Sequence, residues 1–182
     1  MFEDNRSKKL VLVSHCLLNQ NSISDGTADY AGTFTDIINK LVDKNVGIIQ
    51  MPCPELLCLG LERGDINGYN RSVLEENSRI RQQLLTESSQ KRIKTIVDNV
   101  FFQVDEYLKN GFKIHGVIGV NRSPSCGIET TSVDSEEVNG EGVFIQQLLE
   151  KFQKKGINLP MVGVKTTMPE KAIEAVESLL NK

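Results

Sequence analysis

Three cysteines stand at the exits of apolar runs, where each could serve as a sulfur ligand: Cys16 ends 10-LVLVSHC-16, Cys53 ends 46-VGIIQMPC-53, and Cys126 closes 116-GVIGVNRSPSC-126. Thiolates select zinc, cuprous copper or iron–sulfur clusters over hard cations. If the group were an iron–sulfur cube, three cysteines would leave one iron with an open position, at which it can act as a Lewis acid. A lone cysteine after a strand is most often a small hydrophobe. Three such placements, each beside proline or a Ser/His-rich turn and none in an apolar stripe, favour chemistry instead. Cys58 differs, since it sits inside LLCLGL and is assigned to the core.

The residues around these sulfurs add acid–base groups. In 121-NRSPSCG-127, Pro124 and Gly127 impose a turn that brings the hydroxyls of Ser123 and Ser125 close to the Cys126 sulfur. Backbone N–H groups in such turns can hold cluster sulfurs or an anionic substrate. Glu55, two residues beyond Cys53, is the candidate general base toward water. Its alternative is a helix N-terminal charge favoured by the macrodipole. His15 is expected to point to the face opposite Cys16 if strand geometry persists there, and His115 reads as structural.

For these groups to meet, the runs that precede them must be neighbouring strands. Residues 9–15 form a Leu/Val strand buried on both faces. The polar segment 19-NQNSISDGTADYAG-32 is a loop, long enough to carry function. From Thr33 onward Phe34, Ile37, Ile38, Leu41 and Val42 recur at helical spacing, and Asn45 can end that helix. The next buried run, 46–51, is cut off by Pro52 and Pro54, which hold Cys53 on a stiff turn. The segment 60-GLERGDINGYNRS-72 is a second loop. Neither Gly nor Pro occurs between Tyr69 and Asn110, and the stripe Ile93, Ile96, Val97, Val100, Phe101, Val104 and Leu108 predicts a core-packing crossover helix, or two joined near Ser88 and Ser89, ended by Gly111.

Residues 112–120 have the Val/Ile content of a central strand, and 121–140 form a polar excursion. A helix carrying Val143, Phe144, Leu148, Leu149 and Phe152 follows, then a short strand at Met161–Val164. The last helix opens with a predicted capping box, Thr167-Met-Pro-Glu170. This alternation predicts a single three-layer α/β domain over 1–182 with a mostly parallel sheet, Rossmann-like, its first residues, 1–7, a flexible N-terminus. Functional groups in such sheets gather beyond the strand ends, which would set Cys16, Cys53 and Cys126 at one edge.

A chain of 182 residues can bury a core without a metal or disulfide to hold it, so a metal here would serve chemistry. The net charge of −3 and the lack of a basic run give no support to DNA or anionic membrane as partners, leaving a small molecule. The segment MFEDNRSKK leads into an apolar run too short for a signal sequence or a membrane span, which implies a cytoplasmic protein with reduced thiols. No Cys-x-x-Cys occurs, which weakens a zinc ribbon or a redox dithiol.

SHCLLN at 14–19, PCPE at 52–55 and RSPSCG at 122–127 resemble, in the same order, the three signatures of the thiouracil desulfurase-like family, over roughly residues 8–165. The resemblance implies a [4Fe–4S] cluster held by Cys16, Cys53 and Cys126, whose fourth iron takes the sulfur of a small thiocarbonyl substrate while water replaces it without net redox change. Glu55 is then the candidate base, with Ser123 or Ser125 orienting substrate. The family usually has a small residue where this chain has His15 and a glycine where it has Asn19, and Arg63 is the candidate counterpart of the arginine that follows its PCPE. These departures imply a divergent subgroup. Two other readings stay open. One is an iron–sulfur protein that binds, stores or senses sulfide without turnover. The other has no cluster, with Cys126 as nucleophile or structural zinc on the cysteines. The nucleophile would need a base, and only two histidines exist to supply the usual partner.

Overall fold

The computed structural model describes residues 4–181. The expected flexible segment, 1–7, lies partly outside the described residues; within it, Arg6 and Asp4 are joined by a 2.6 Å ion pair. The chain opens with β1 (Lys9–Ser14), turns through the one-turn helix α1 (His15–Leu18), and crosses a long loop to α2 (Thr35–Asp43). Asn45, with φ +55°, ends α2 as anticipated. Next come β2 (Gly47–Met51), the short α3 (Pro54–Leu59), and two crossover helices, α4 (Val73–Leu84) and α5 (Glu87–Lys109). The break between them falls at Leu85–Thr86, a few residues before the Ser88–Ser89 junction expected. Gly111, at φ +77°, follows α5.

β3 (Lys113–Val120) leads to a hairpin of β4 (Thr130–Val133) and β5 (Glu136–Asn139), then α6 (Val143–Lys154), β6 (Met161–Val164) and α7 (Pro169–Leu180). The sheet order is β2-β1-β3-β6, every pair parallel. In this doubly wound order the winding reverses between β1 and β3, the crevice where such sheets bind ligands. The pleat of β1 explains the layers. Leu10 and Leu12 join a core with α4, α5 and α6, whereas Val11 and Val13 join a second core with α2 and α7. Fully burying such a side chain contributes about 1.5–3 kcal/mol, so a one-residue slip of β1 would exchange both faces at once.

Two local expectations are corrected. The polar stretch after Cys126 contains the β4–β5 hairpin, closed by Asp134 and Ser135 at φ +47° and +63°. Two left-handed residues match the strand twist, but Asp-Ser lacks the glycine that usually announces such a turn. The capping box at Thr167 does not form. Pro169 starts α7, Met168 occupies the cap position without a side-chain bond, and Thr167 lies on the wall of the cleft described below.

His115 is buried on β3 with neither ring nitrogen bonded to the protein, which fits its structural assignment. Burial first, then Lys113 and Lys9, hold its pKa below the usual value. The unfolded chain therefore takes the proton first. Stability is full above the unfolded value of about 6.5 and is lost as pH falls through it toward the lower folded value. His115→Leu is expected to flatten that part of the pH profile in urea unfolding and to raise the midpoint, since it removes two unpartnered polar atoms. Among the described residues no helix is long and apolar enough to cross a membrane.

Candidate active site

Each cysteine is placed by the element that follows its strand. β1 stops at Ser14, so Cys16 is the second residue of α1 and not the last of a strand. Cys53 is the N-cap of α3, with Pro54 in the first helical position, where its missing N–H costs nothing. The Cys53 Sγ does the work of a capping oxygen and accepts the Leu56 N–H at 3.4 Å.

Cys126 lies in a turn fastened from both sides. The Ser123 Oγ accepts the N–H groups of Cys126 at 3.0 Å and Ser125 at 3.3 Å. The first N–H groups of α6, which no helical carbonyl can satisfy, are met by the turn. Val143 N donates to the Pro124 carbonyl at 2.9 Å and Phe144 N to that of Ser125 at 3.1 Å. Gly127 is required here, because a Cβ would sit 2.2 Å from the Thr130 carbonyl oxygen.

These turns open on one cleft of about 750 Å³, counting space continuous with solvent, whose lining includes Cys16, Cys53, Cys126, Glu55, Ser123 and Ser125. All six residues singled out in the sequence therefore share one wall system. Glu55 is buried, and its two oxygens face different partners. Oε1 accepts the Ser125 hydroxyl at 2.6 Å, with Ser123 Oγ at 3.5 Å, while Oε2 accepts Arg63 Nε at 3.1 Å, with Ser24 Oγ at 3.5 Å. The plain helix-end charge considered from sequence is thus one member of a buried polar network. Ser123, which spends its oxygen on the turn, is a weaker candidate for orienting substrate than Ser125.

Arg63 is 3% exposed and left-handed at φ +52°. Besides Glu55 its guanidinium binds the carbonyls of Gly60 and Leu61, each at 3.0 Å, and of Ser22, so it ties both long loops to the carboxylate. Gln20 fastens the first loop, donating to the Cys16 carbonyl at 2.7 Å and accepting Asp29 N–H at 3.2 Å. Sequence reading missed Gln20, Ser24 and the Glu55–Arg63 pair, because a polar loop gives no period from which to tell an inward residue. It also missed Asn77, which lines the cleft from α4 and binds the Arg122 carbonyl and Ser132 Oγ, each at 3.3 Å. A signal was available there: Glu76 and Asn77 share the buried side of α4 with Ile80 and Leu84.

The thiols are held protonated. Burial pushes Cys126 up to about 12, reinforced by Cys53, and Cys53 up to about 11, reinforced by Glu55 and opposed by Arg63. Cys16 is pushed well above its usual value by burial and then by Cys126, Cys53 and Glu55. Cys16 and Cys126 each feel Cys53, and Cys16 feels Cys126 as well. Ser14 Oγ, fully buried without a hydrogen-bond partner of good geometry, lies where it favours an ionised Cys126.

Among the described residues no three His, Cys, Asp or Glu side chains converge at the spacing that one metal ion requires. The donor chemistry nonetheless fits a larger sulfur-bound cationic group. Loading would release the three thiol protons, and the thiolates so formed would be stabilised by the group's positive charge, by the Leu56 N–H on Cys53 and by the Ser14 hydroxyl beside Cys126. Cys58 lies apart on α3, packed against the core with its Sγ 3.7 Å from the Ser89 carbonyl, which agrees with its core assignment.

The strand geometry on which the expectation for His15 depends does not persist: β1 ends at Ser14, and His15 is among the residues that line the cleft. Comparison with known proteins matches the chain to a family. An uncharacterised protein of Methanocaldococcus jannaschii is 26% identical over 152 residues, covering 84% of this chain and 83% of that protein. No solved structure matches the chain. The family model described as 2-thiouracil desulfurase matches residues 11–159, a span that takes in all three cysteine turns. The chain therefore belongs to the 2-thiouracil desulfurase family.

Proposed function

We propose that the protein is a non-redox desulfidase that hydrolyses the carbon–sulfur double bond of a small thiolated molecule, with a [4Fe–4S] cluster held by Cys16, Cys53 and Cys126. The observation that carries this reading is the meeting of three thiols with the Glu55–Ser125 pair in one cleft, in a chain of the desulfurase family. Bound there, the cluster would supply an iron open to the substrate sulfur, a Lewis acid that draws electrons from the thiocarbonyl carbon.

The protein's own groups then handle water and protons. Glu55 takes a proton from water as the water oxygen bonds to that carbon. The carbon–sulfur bond breaks, sulfur leaves as hydrosulfide with its bonding electrons and the second proton of the water, and the product is a carbonyl. No electron is lost or gained overall. Arg63 fixes Oε2, which leaves Oε1 as the working oxygen, held in place by Ser125. The net charge of −3 and the thiol-dependent site suit a small substrate in a reducing, cytoplasmic setting.

The test is anaerobic reconstitution with iron and sulfide, followed by incubation with 2-thiouracil. Uracil and sulfide are expected in equal amounts over many turnovers per cluster. Uptake of a single equivalent of sulfide with no carbonyl product would assign the protein to sulfide binding instead.

A further inference from the structure

We propose that Asn77 is a specificity residue, whose Oδ1 accepts an N–H of the substrate beside the carbon–sulfur bond; this rests on the desulfidase function above. Asn77 is 8% exposed and sits on the inward side of α4 with Ile80 and Leu84, where it lines the cleft together with Glu55, Ser123 and Cys126. Its amide has one orientation. The Arg122 carbonyl can only accept, and the Ser132 hydroxyl, which gives its hydrogen to that same carbonyl at 2.7 Å, accepts as well. Both therefore take hydrogens from Nδ2, each at 3.3 Å, and Oδ1 is the end turned away from them. Among the described residues nothing donates to Oδ1, and unlike Ser14 Oγ and His15 Nδ1 this oxygen is not sealed from solvent.

The space it meets is the cleft and an adjoining hollow of about 370 Å³, counting space continuous with solvent. The two share Ser24, Thr27, Val73 and Asn77, so Asn77 stands at their junction. Other polar groups there are committed. Thr27 donates to the Ser24 carbonyl at 2.6 Å, and Arg71 binds Glu76 at 3.0 Å and Asp65 at 2.7 Å. Asn77 thus presents a bare acceptor to the cavity, fixed before anything binds. Its two donor bonds hold the amide, and a capping box between Ser72 and Glu75 anchors the first turn of α4. An acceptor ordered in advance adds affinity, because little motion is lost on binding. The matching substrate is a secondary thioamide, in which an N–H adjoins the C=S group. The N–H given to Oδ1 sets which thiolated molecules bind and how their sulfur is turned toward the cysteines, without Asn77 touching the reacting carbon.

Cluster-loaded wild type, Asn77→Leu and Asn77→Asp are compared by KM for 2-thiouracil and by calorimetric Kd for two compounds with no carbon–sulfur bond to break. Uracil keeps both N–H groups; 1,3-dimethyluracil has neither. Leu is close in shape and has no polar atom, whereas Asp keeps an acceptor at the Oδ1 position and loses the Nδ2 donor. Asn77→Leu is expected to raise KM for 2-thiouracil and Kd for uracil about tenfold, the usual scale for one lost hydrogen bond. The preference for uracil over dimethyluracil is expected to shrink by the same factor. Asp is expected to recover most of the loss, with visible cluster absorption at the wild-type level in both variants. A residue that only braced the Arg122 turn through Nδ2 would make Leu and Asp equally poor, and that result overturns the assignment while leaving the desulfidase function standing. So does wild-type affinity in Asn77→Leu, an equal loss toward uracil and dimethyluracil, or loss of the cluster in both variants. If wild type with an intact cluster neither binds nor converts 2-thiouracil, the proposed function fails and this inference with it.

Discussion

Cys126→Ala is expected to fold and yet to hold no stable cluster after anaerobic reconstitution with iron and sulfide. The thiol is 5% exposed and, with a pKa near 12, neutral in the metal-free protein, so its removal takes away a small buried group and no charge. The cost to the metal-free fold is therefore about 0.5–3 kcal/mol, the ordinary range for one substitution. Loading loses a ligand outright, along with the contacts that Ser125 Oγ at 3.6 Å and Ser14 make to that sulfur. Cys58→Ala is the matched control, because that sulfur packs between α3 and α5. Visible absorption and iron and sulfide content should stay near wild type in Cys58→Ala and collapse in Cys126→Ala, while metal-free thermal melts of all three remain close. A Cys126→Ala protein that retains a full complement of iron would remove this residue from the ligand set.

The frame of the molecule could be read from pattern alone. Strand ends fell where proline or polar turns interrupted Val/Ile/Leu runs, and the parallel direction of β1, β2 and β3 follows once each run is joined to the next by a helix. That was enough to bring three cysteines to one edge. Arg63 shows what pattern could not give. Its burial depends on a left-handed backbone position and on a carboxylate eight residues earlier, and it gathers carbonyls from two loops that have no periodicity of their own. His15 marks a different limit. Alternation along a strand fixes a side chain's face only while the strand lasts, and here it ends one residue sooner than the apolar pattern suggested. The hairpin after Cys126 was hidden because Asp134 and Ser135 adopt the left-handed turn without a glycine to mark it.

Glu55→Gln separates catalysis from assembly. The side chain keeps its shape, so Ser125 still finds an acceptor, and Arg63 keeps the carbonyls of Gly60, Leu61 and Ser22 after losing its carboxylate. Stranding one partner of a buried ion pair costs about 3–5 kcal/mol where nothing else binds it; these carbonyls place the expected loss below that range. Glu55 also raises the pKa of all three thiols. Removing its charge therefore makes the sulfurs easier to ionise, and the metal-free variant should react faster than wild type with a thiol reagent at fixed pH. Cluster loading should be unimpaired for the same reason. Turnover of 2-thiouracil, in contrast, should fall by about 10²-fold or more, the scale of a lost general base, because an amide cannot take the proton from water. The two effects run in opposite directions, which no general loss of structure would produce. Unchanged turnover in a loaded Glu55→Gln protein would show that another group, or water itself, accepts the proton.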